Sequence, residues 1–271
     1  MTGMLKDITF GQYFQSNSLI HRLDPRTKIL LLIADIVFLF LTKSLWALLI
    51  PVVQVMLVML LSKVPARMFA KNIKTILPII IFTTVINLFY GDGDVIVSVW
   101  RITVTTGGVY RAIYMAVRII LLILISSVLT YTTTPNDITD AIELLLSPLR
   151  VFGLRSAVHM LAMMMTIAIR FIPTLVEETE KIISAQKARG ADLENGKLLE
   201  RIKALIPILI PLLISSVRRA YELAEAMECR CYNGGIGRVR MKRLKYTALD
   251  LYAATVNTVF CAGVIVVNVL I

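Results

Sequence analysis

Five apolar runs, at residues 29–42, 45–61, 73–90, 112–131 and 246–271, dominate this chain and leave few folds open to it. A helix that crosses a bilayer needs about 20 mostly apolar residues, and the last three runs reach that length easily. The first does so only if its helix begins at Pro25, with Asp24 as the N-cap and Pro25 in the first helical position. Only Lys43 and Ser44 separate the first two runs, so a tight helical hairpin is expected there. Hydrophobic residues make up 57% of the chain and charged residues 17%. A soluble domain sits nearer 45–50% and about 25%. With a mean hydropathy of +0.78, this is an all-α integral membrane protein.

The formal net charge is +11. No RNA- or DNA-binding signature accompanies it, so the excess reads as basic cytoplasmic loops and no nucleic-acid partner is expected. The segment before the first run carries Lys6, Arg22, Arg26 and Lys28, and the stretch between the second and third carries Lys63, Arg67, Lys71 and Lys74. The alternate connections are poorer: Lys43 alone, then Arg101 and Arg111 offset by Asp92 and Asp94. The positive-inside rule therefore puts the N-terminus in the cytoplasm and returns the chain there near Thr132, with a last span leaving the C-terminus outside. The polar stretch from Met1 to Leu23 lacks a signal-peptide pattern, and no removable leader is expected.

Between Thr132 and Lys245 lie two more apolar stretches, 158–176 and 202–217. The first holds Arg170 and, near its start, His159. The second is short, contains Pro207 and Pro211, and runs into a charged amphipathic helix. A charge at the centre of a span costs about 2.5–3.5 kcal/mol on insertion scales. Spanning here would also carry Lys181, Lys187, Arg189, Lys197, Arg201 and Lys203 outside, although six carboxylates accompany them. The expectation is about five transmembrane helices plus a cytoplasmic or interface-lying helical domain.

That domain carries the sharpest polar signal outside the spans. Leu175, Val176, Thr179, Ile182, Ile183 and Gln186 form one helical stripe, and Leu213, Val217, Ala220, Tyr221, Ala224 and Met227 form another. Both follow the three-and-four spacing of a helix with one sticky face. Each stripe ends in an arginine flanked by small residues: Ala188-Arg189-Gly190 and Cys229-Arg230-Cys231. Aligned on the arginines, Ala185 matches Ala226 and Ile182 matches Leu223, a weak internal duplication. Gly190 gives the first helix its stop, and Gly234, Gly235 and Gly237 follow the second. Two similar tips imply two similar pockets in a partner, since a guanidinium offers a rigid fork and keeps its charge when desolvated.

Enzymatic signatures are missing. There is no phosphate-cradling Gly-x-x-x-x-Gly-Lys-Ser/Thr loop, no His-Glu-x-x-His zinc helix and no Gly-x-Ser-x-Gly elbow. His21 and His159 are too few and too far apart in sequence to suggest a site. Cys229 and Cys231 lack further ligands nearby, so neither a metal nor a cofactor is expected. Met160 and Met163 to Met165 read as an adaptable packing surface. Asp35 and Arg118 fall within apolar runs. A bound-ion role is one reading, and a structural pair or a snorkelling Arg118 is the other.

His21-Arg22-Leu23-Asp24-Pro25-Arg26-Thr27-Lys28 ahead of the first span resembles the N-terminal signature of the T components of energy-coupling factor (ECF) transporters. Ala188-Arg189-Gly190 is similar to the first coupling motif of that family. Ala226-Met227-Glu228-Cys229-Arg230-Cys231-Tyr232, followed by Gly234-Gly235, is similar to the second. The second motif departs in having Cys229 and Cys231 where alanine and glycine would be ideal, and Cys231 suits a left-handed turn less well than glycine.

The resemblance covers essentially the whole chain. It implies a non-catalytic scaffold with a cytoplasmic N-terminal segment (1–24), a four-helix membrane domain (25–131), a coupling domain of long crossing amphipathic helices (132–245) and a final span (246–271). Asp24, Pro25, Arg26 and Lys28 are its signature residues. Ala188, Arg189, Gly190, Cys229, Arg230 and Cys231 are then the docking residues for two ABC-type ATPase subunits. Ile182, Ile183, Val217, Tyr221, Ala224 and Met227 form the face toward a membrane-embedded substrate-binding S component. Import of vitamins or other micronutrients through a prokaryotic cell membrane is the implied function. A secondary transporter binding its own substrate, or a conventional ABC permease lining the substrate path, is the competing reading; an intramembrane enzyme ranks below both.

Overall fold

A computed structural model of the chain describes residues 13–89, 95–99, 102–148, 155–191, 198–233 and 244–270. Two compact units emerge, one of residues 11–138 with 243–271 and the other built on 139–242.

The first unit packs five long helices: α1 (Pro25–Leu41), α2 (Leu45–Ser62), α3 (Ala66–Phe89), α4 (Thr106–Thr132) and, from the end of the chain, α8 (Ala248–Leu270). Helix α1 starts where the sequence demanded. Asp24 caps it by accepting from the Arg26 backbone N–H at 2.9 Å, and Pro25 takes the first position, where its missing N–H costs nothing. Ser44 caps α2, so only Thr42, Lys43 and Ser44 join the two helices. Lys63 turns left-handed (φ 56°) to end α2, and α3 begins almost at once. Arg67, Lys71 and Lys74, read from the sequence as loop charges, therefore lie in the first turns of α3. Arg111 likewise lies on α4 and not in the preceding connection.

That connection holds a two-stranded antiparallel hairpin, β1 (Val95–Val99) and β2 (Ile102–Thr105), which hydropathy alone did not reveal. Thr105 closes it and caps α4 through the Gly108 N–H at 3.2 Å. Here α4 passes so close to α3 that a Cβ on Gly108 would overlap the Leu88 carbonyl oxygen. We expect Gly108→Ala to destabilise the unit by about 1–3 kcal/mol through a forced backbone shift, read as a lowered thermal midpoint in detergent. Gly263→Ala, whose Cβ would meet only the end of the Ile50 side chain at 3.4 Å, serves as the mild control.

Two apolar clusters hold the bundle. One joins Ile20, Val64, Phe69, Val128 and Tyr131, with the Phe69 and Tyr131 rings edge to face at 5.3 Å. The other joins Leu39, Leu48, Val55 and Leu121. The segment ahead of α1 is pinned by Phe14 N–H donating to the Tyr131 carbonyl at 2.9 Å. His21 there spans the Ser18 hydroxyl at 2.6 Å and the Phe14 carbonyl at 2.8 Å. Burial, helped by the nearby Lys28 ammonium, pulls the His21 imidazole below its ordinary value, so the fold disfavours the charged form. The unfolded chain then binds the proton more readily, and stability present above pH ~6.5 declines as pH falls through that value. His21→Gln should flatten this slope in thermal unfolding measured from pH 7.5 to 5.

The second unit contains most of α5 (Pro135–Leu145) and two very long helices, α6 (Arg155–Ala188) and α7 (Leu198–Cys229). At 1.5 Å per residue they run roughly 50 Å each. Among the described residues, six helices are long and apolar enough to cross a membrane: α2, α3, α4, α8 and parts of α6 and α7. Helix α1, with 17 residues, is just shorter. The chain is a multi-pass helical membrane protein. Length and composition put α6 and α7 among the candidate spans, whereas their charges and prolines argue for the interface.

Candidate docking site

Helices α6 and α7 run antiparallel. Glu178 on α6 accepts from the Ser215 hydroxyl and from the Arg219 guanidinium on α7 at 2.7 Å, and Gln186 donates to the Pro207 carbonyl at 3.4 Å. Glu178 lies off the apolar stripe of α6. Its role depends on the pairing register, which one helix's periodicity cannot supply. By that register Arg189 stands beside Ala204, about 26 residues before Arg230, so roughly 40 Å separates the two arginines. They sit at opposite ends of one helical hairpin.

Each arginine occupies the same structural position. Arg189 is the residue that ends α6. Gly190 follows with φ 85°, its N–H bonding the Lys187 carbonyl at 3.0 Å, and the Ala191 N–H reaches the Gln186 carbonyl at 3.0 Å. Arg230 ends α7 in the same manner: Cys231 takes φ 54°, its N–H bonds Glu228 at 2.8 Å, and Tyr232 N–H bonds Met227 at 3.0 Å. Both are Schellman caps, in which a left-handed residue lets two N–H groups return to the last turn. The duplication read from side chains thus extends to the backbone. The left-handed residue that closes α7 is Cys231; Gly234, Gly235 and Gly237, which follow it in sequence, lie outside the described residues.

Cys231 carries a left-handed conformation that costs a residue with a Cβ about 1–2 kcal/mol. Cys231→Gly should therefore stabilise the end of α7 by up to about 1 kcal/mol, seen as slower hydrogen exchange at Cys231 and Tyr232. Cys231→Val, β-branched at positive φ, should unwind the cap. Gly190 has open space around its missing Cβ, so any side chain there meets only the backbone penalty.

The two guanidiniums are exposed, as are Ala188, Cys229 and Cys231. Among the described residues no carboxylate pairs with either arginine. A fixed, unpaired cation at a helix C-terminus is electrostatically at home and ready to bond an external acceptor. The proposed coupling face divides in two. Ala224 and Met227, with Ile167, Phe171, Leu175 and Leu223, line a cavity of about 390 Å³ between α6 and α7. Val217 and Tyr221, 48% and 75% exposed, look away from it beside Leu213 and Ile214. Ile182 and Ile183 are half-buried. An apolar stripe this wide exceeds what α6 covers.

The segment Asp24-Pro25-Arg26-Lys28 is a lock within the membrane unit. Both Asp24 oxygens engage the Arg26 guanidinium, at 3.1 and 3.0 Å, and Arg26 stacks on the Tyr246 ring at 4.2 Å. The buried Asp24 N–H donates to Asp250 at 2.8 Å, while the other Asp250 oxygen caps α8 through Thr247 N–H at 2.7 Å and its hydroxyl at 2.8 Å. Lys28 donates to the Thr132 carbonyl at 2.9 Å and the Thr133 hydroxyl at 3.3 Å, satisfying the C-terminus of α4. Three helix ends meet here.

Asp35 is held by two carboxamides, Gln54 at 2.8 Å and Asn257 at 2.5 Å, and does not pair with Arg118. It borders a cavity of about 390 Å³ whose charged and amide groups, Lys28, Asp35, Gln54 and Asn257, already bond to neighbours.

Fold and site together define a multi-pass helical membrane protein with two exposed, arginine-capped helix ends. The sequence profile described as CbiQ, cobalt transport protein, matches residues 16–242. The chain is 48% identical to the energy-coupling factor transporter transmembrane protein EcfT of Ruminiclostridium cellulolyticum over 98% of both chains. It is 46% identical to the EcfT of Thermosediminibacter oceani over 96% of this chain and 97% of that one. It is 48% identical to the EcfT of Clostridium kluyveri over 97% and 96%. The chain belongs to the family of energy-coupling factor transporter transmembrane proteins.

Proposed function

We propose that this chain is the non-catalytic scaffold of an ATP-driven importer for a vitamin or similar micronutrient. Its N-terminus and α6–α7 unit face the cytoplasm, with residues 1–24, 25–131, 132–245 and 246–271 forming the cytoplasmic segment, the four-helix membrane domain, the coupling domain and the last span. Arg189 and Arg230, with Ala188, Gly190, Cys229 and Cys231 around them, plug into grooves of two ABC-type ATPase subunits. The open stripe around Val217 and Tyr221, with Ile182, Ile183, Ala224 and Met227, meets a membrane-embedded substrate-binding subunit and passes on the ATP-driven motion.

The observation that carries this reading is the pair of matched arginine caps at opposite ends of one helical hairpin. Two equivalent plugs roughly 40 Å apart suit two subunits side by side better than one loop suits a single socket. The cavity beside Asp35 speaks against a substrate path of the chain's own, because its polar groups are spent on holding helices together. Affinity purification of the tagged chain from its native membrane tests the reading. The expected result is co-purification of two ATPase copies and one further membrane protein. A chain that purifies alone and takes up a solute in vesicles would overturn it.

A further inference from the structure

We infer that Arg118 on α4 binds the phosphate of a phospholipid at the membrane surface that carries the α1–α2 turn. Helices α1 and α4 are antiparallel, with Lys28 against Thr132 at one end and Phe40 against Arg118 at the other. Phe40 lies one residue before the end of α1, which places Arg118 at the depth of that helix terminus. Its guanidinium is clasped by the Phe40 ring at 4.4 Å and the Tyr114 ring at 5.9 Å. Such stacking holds the cation in position but leaves its N–H donors unused.

Among the described residues the donors find no acceptor. Nε is enclosed without an acceptor, while the two outer nitrogens are not enclosed. Three carbonyls at the end of α1 are already engaged: Leu39 by the Thr42 hydroxyl, Leu41 by Asn268 and Thr42 by Tyr114. Among the described residues of this unit the carboxylates are Asp24, Asp35, Asp137 and Asp250. The first, second and fourth are bonded elsewhere, and Asp137 lies beyond Thr132 at the far end of α4. The surroundings are apolar and lipid-facing, with Phe40 61% and Leu41 53% exposed, and Trp46 at 69% stands just past the turn as an interfacial anchor. An unspent guanidinium beside open apolar surface at the end of α1 matches an amphiphile whose phosphodiester meets the arginine and whose chains lie along that helix. The outer leaflet follows from the orientation in Proposed function; the lipid site itself does not depend on it.

Native mass spectrometry of the purified full chain, titrated with dioleoylphosphatidylglycerol, tests the site. Wild-type protein should hold one lipid more tightly than the rest, and Arg118→Met should weaken that binding about tenfold or more, the scale of a hydrogen bond to a charged group. Dioleoylglycerol, which lacks phosphate, should bind both proteins equally weakly. Phe40→Leu provides a second variant on a lipid-exposed side chain and should weaken binding several-fold by removing one wall of the clasp. Unchanged lipid affinity in Arg118→Met and Phe40→Leu would overturn the inference. So would displacement of the lipid by millimolar inorganic phosphate, which would make this a free-anion site. Tighter lipid binding by Asp92→Asn/Asp94→Asn would give Arg118 an internal partner and also overturn it. Loss of a co-purifying membrane protein with lipid binding intact would assign the arginine to a partner's carboxylate. ATPase retention is read separately and should be unchanged throughout.

Discussion

Transport should fall to background when Arg189 and Arg230 are both replaced by alanine, while the chain stays folded in its membrane. Both side chains are exposed, and among the described residues neither has an ion-pair partner, so truncation removes nothing the fold relies on. Surface changes of this kind usually stay within about 0.5 kcal/mol. At an interface the balance reverses, since truncating one member of a desolvated charge pair costs about 2–5 kcal/mol. That corresponds to roughly 30-fold to several-thousand-fold weaker attachment at each socket. Either single variant should lose one ATPase contact and most uptake. Arg→Lys at either position should fall in between, because it keeps the charge and loses the planar fork. The ATPase-to-scaffold ratio after purification, with uptake in vesicles, reads both effects.

Asp250→Ala should do the opposite, strongly destabilising the membrane unit without touching either docking tip. It would strand the buried Asp24 N–H and uncap α8 together. Each buried donor left without an acceptor costs about 1–3 kcal/mol, against a total stability of about 5–15 kcal/mol for a typical protein. Asp250→Asn retains an acceptor oxygen and should lose about half as much. Asp35→Asn should be milder still, since its two carboxamide neighbours both bond a single oxygen that asparagine can supply. Monodisperse yield in detergent and thermal midpoint rank the three.

Much of this architecture is legible in the residues themselves. Asp24 and Pro25 announce the start of α1 because capping is a local matter of one side chain and one φ angle. The stripes and terminal arginines of α6 and α7 are legible for the same reason. Long-range pairing is not. Glu178 reads as one more surface charge until Arg219 is set opposite it, and Asp250 reads as an ordinary first-turn acid until the Asp24 N–H reaches it. The hairpin before α4 was hidden by shortness, and the left-handed turn at Cys231 because cysteine gives no such signal. The signature segment was legible as a pattern, but its work, joining the ends of α1, α4 and α8, belongs to tertiary contacts.

The central claim is that one scaffold engages two ATPases through two equivalent tips. Its most direct test is photo-crosslinking from p-benzoylphenylalanine placed at Lys187 and, in a second protein, at Glu228, beside each arginine, in the intact transporter. The account predicts a one-to-one crosslink from each site and, when both sites carry the probe, a product containing one scaffold and two ATPase chains. A doubly labelled scaffold that joins only one ATPase chain, or crosslinks from only one of the two tips, would contradict it.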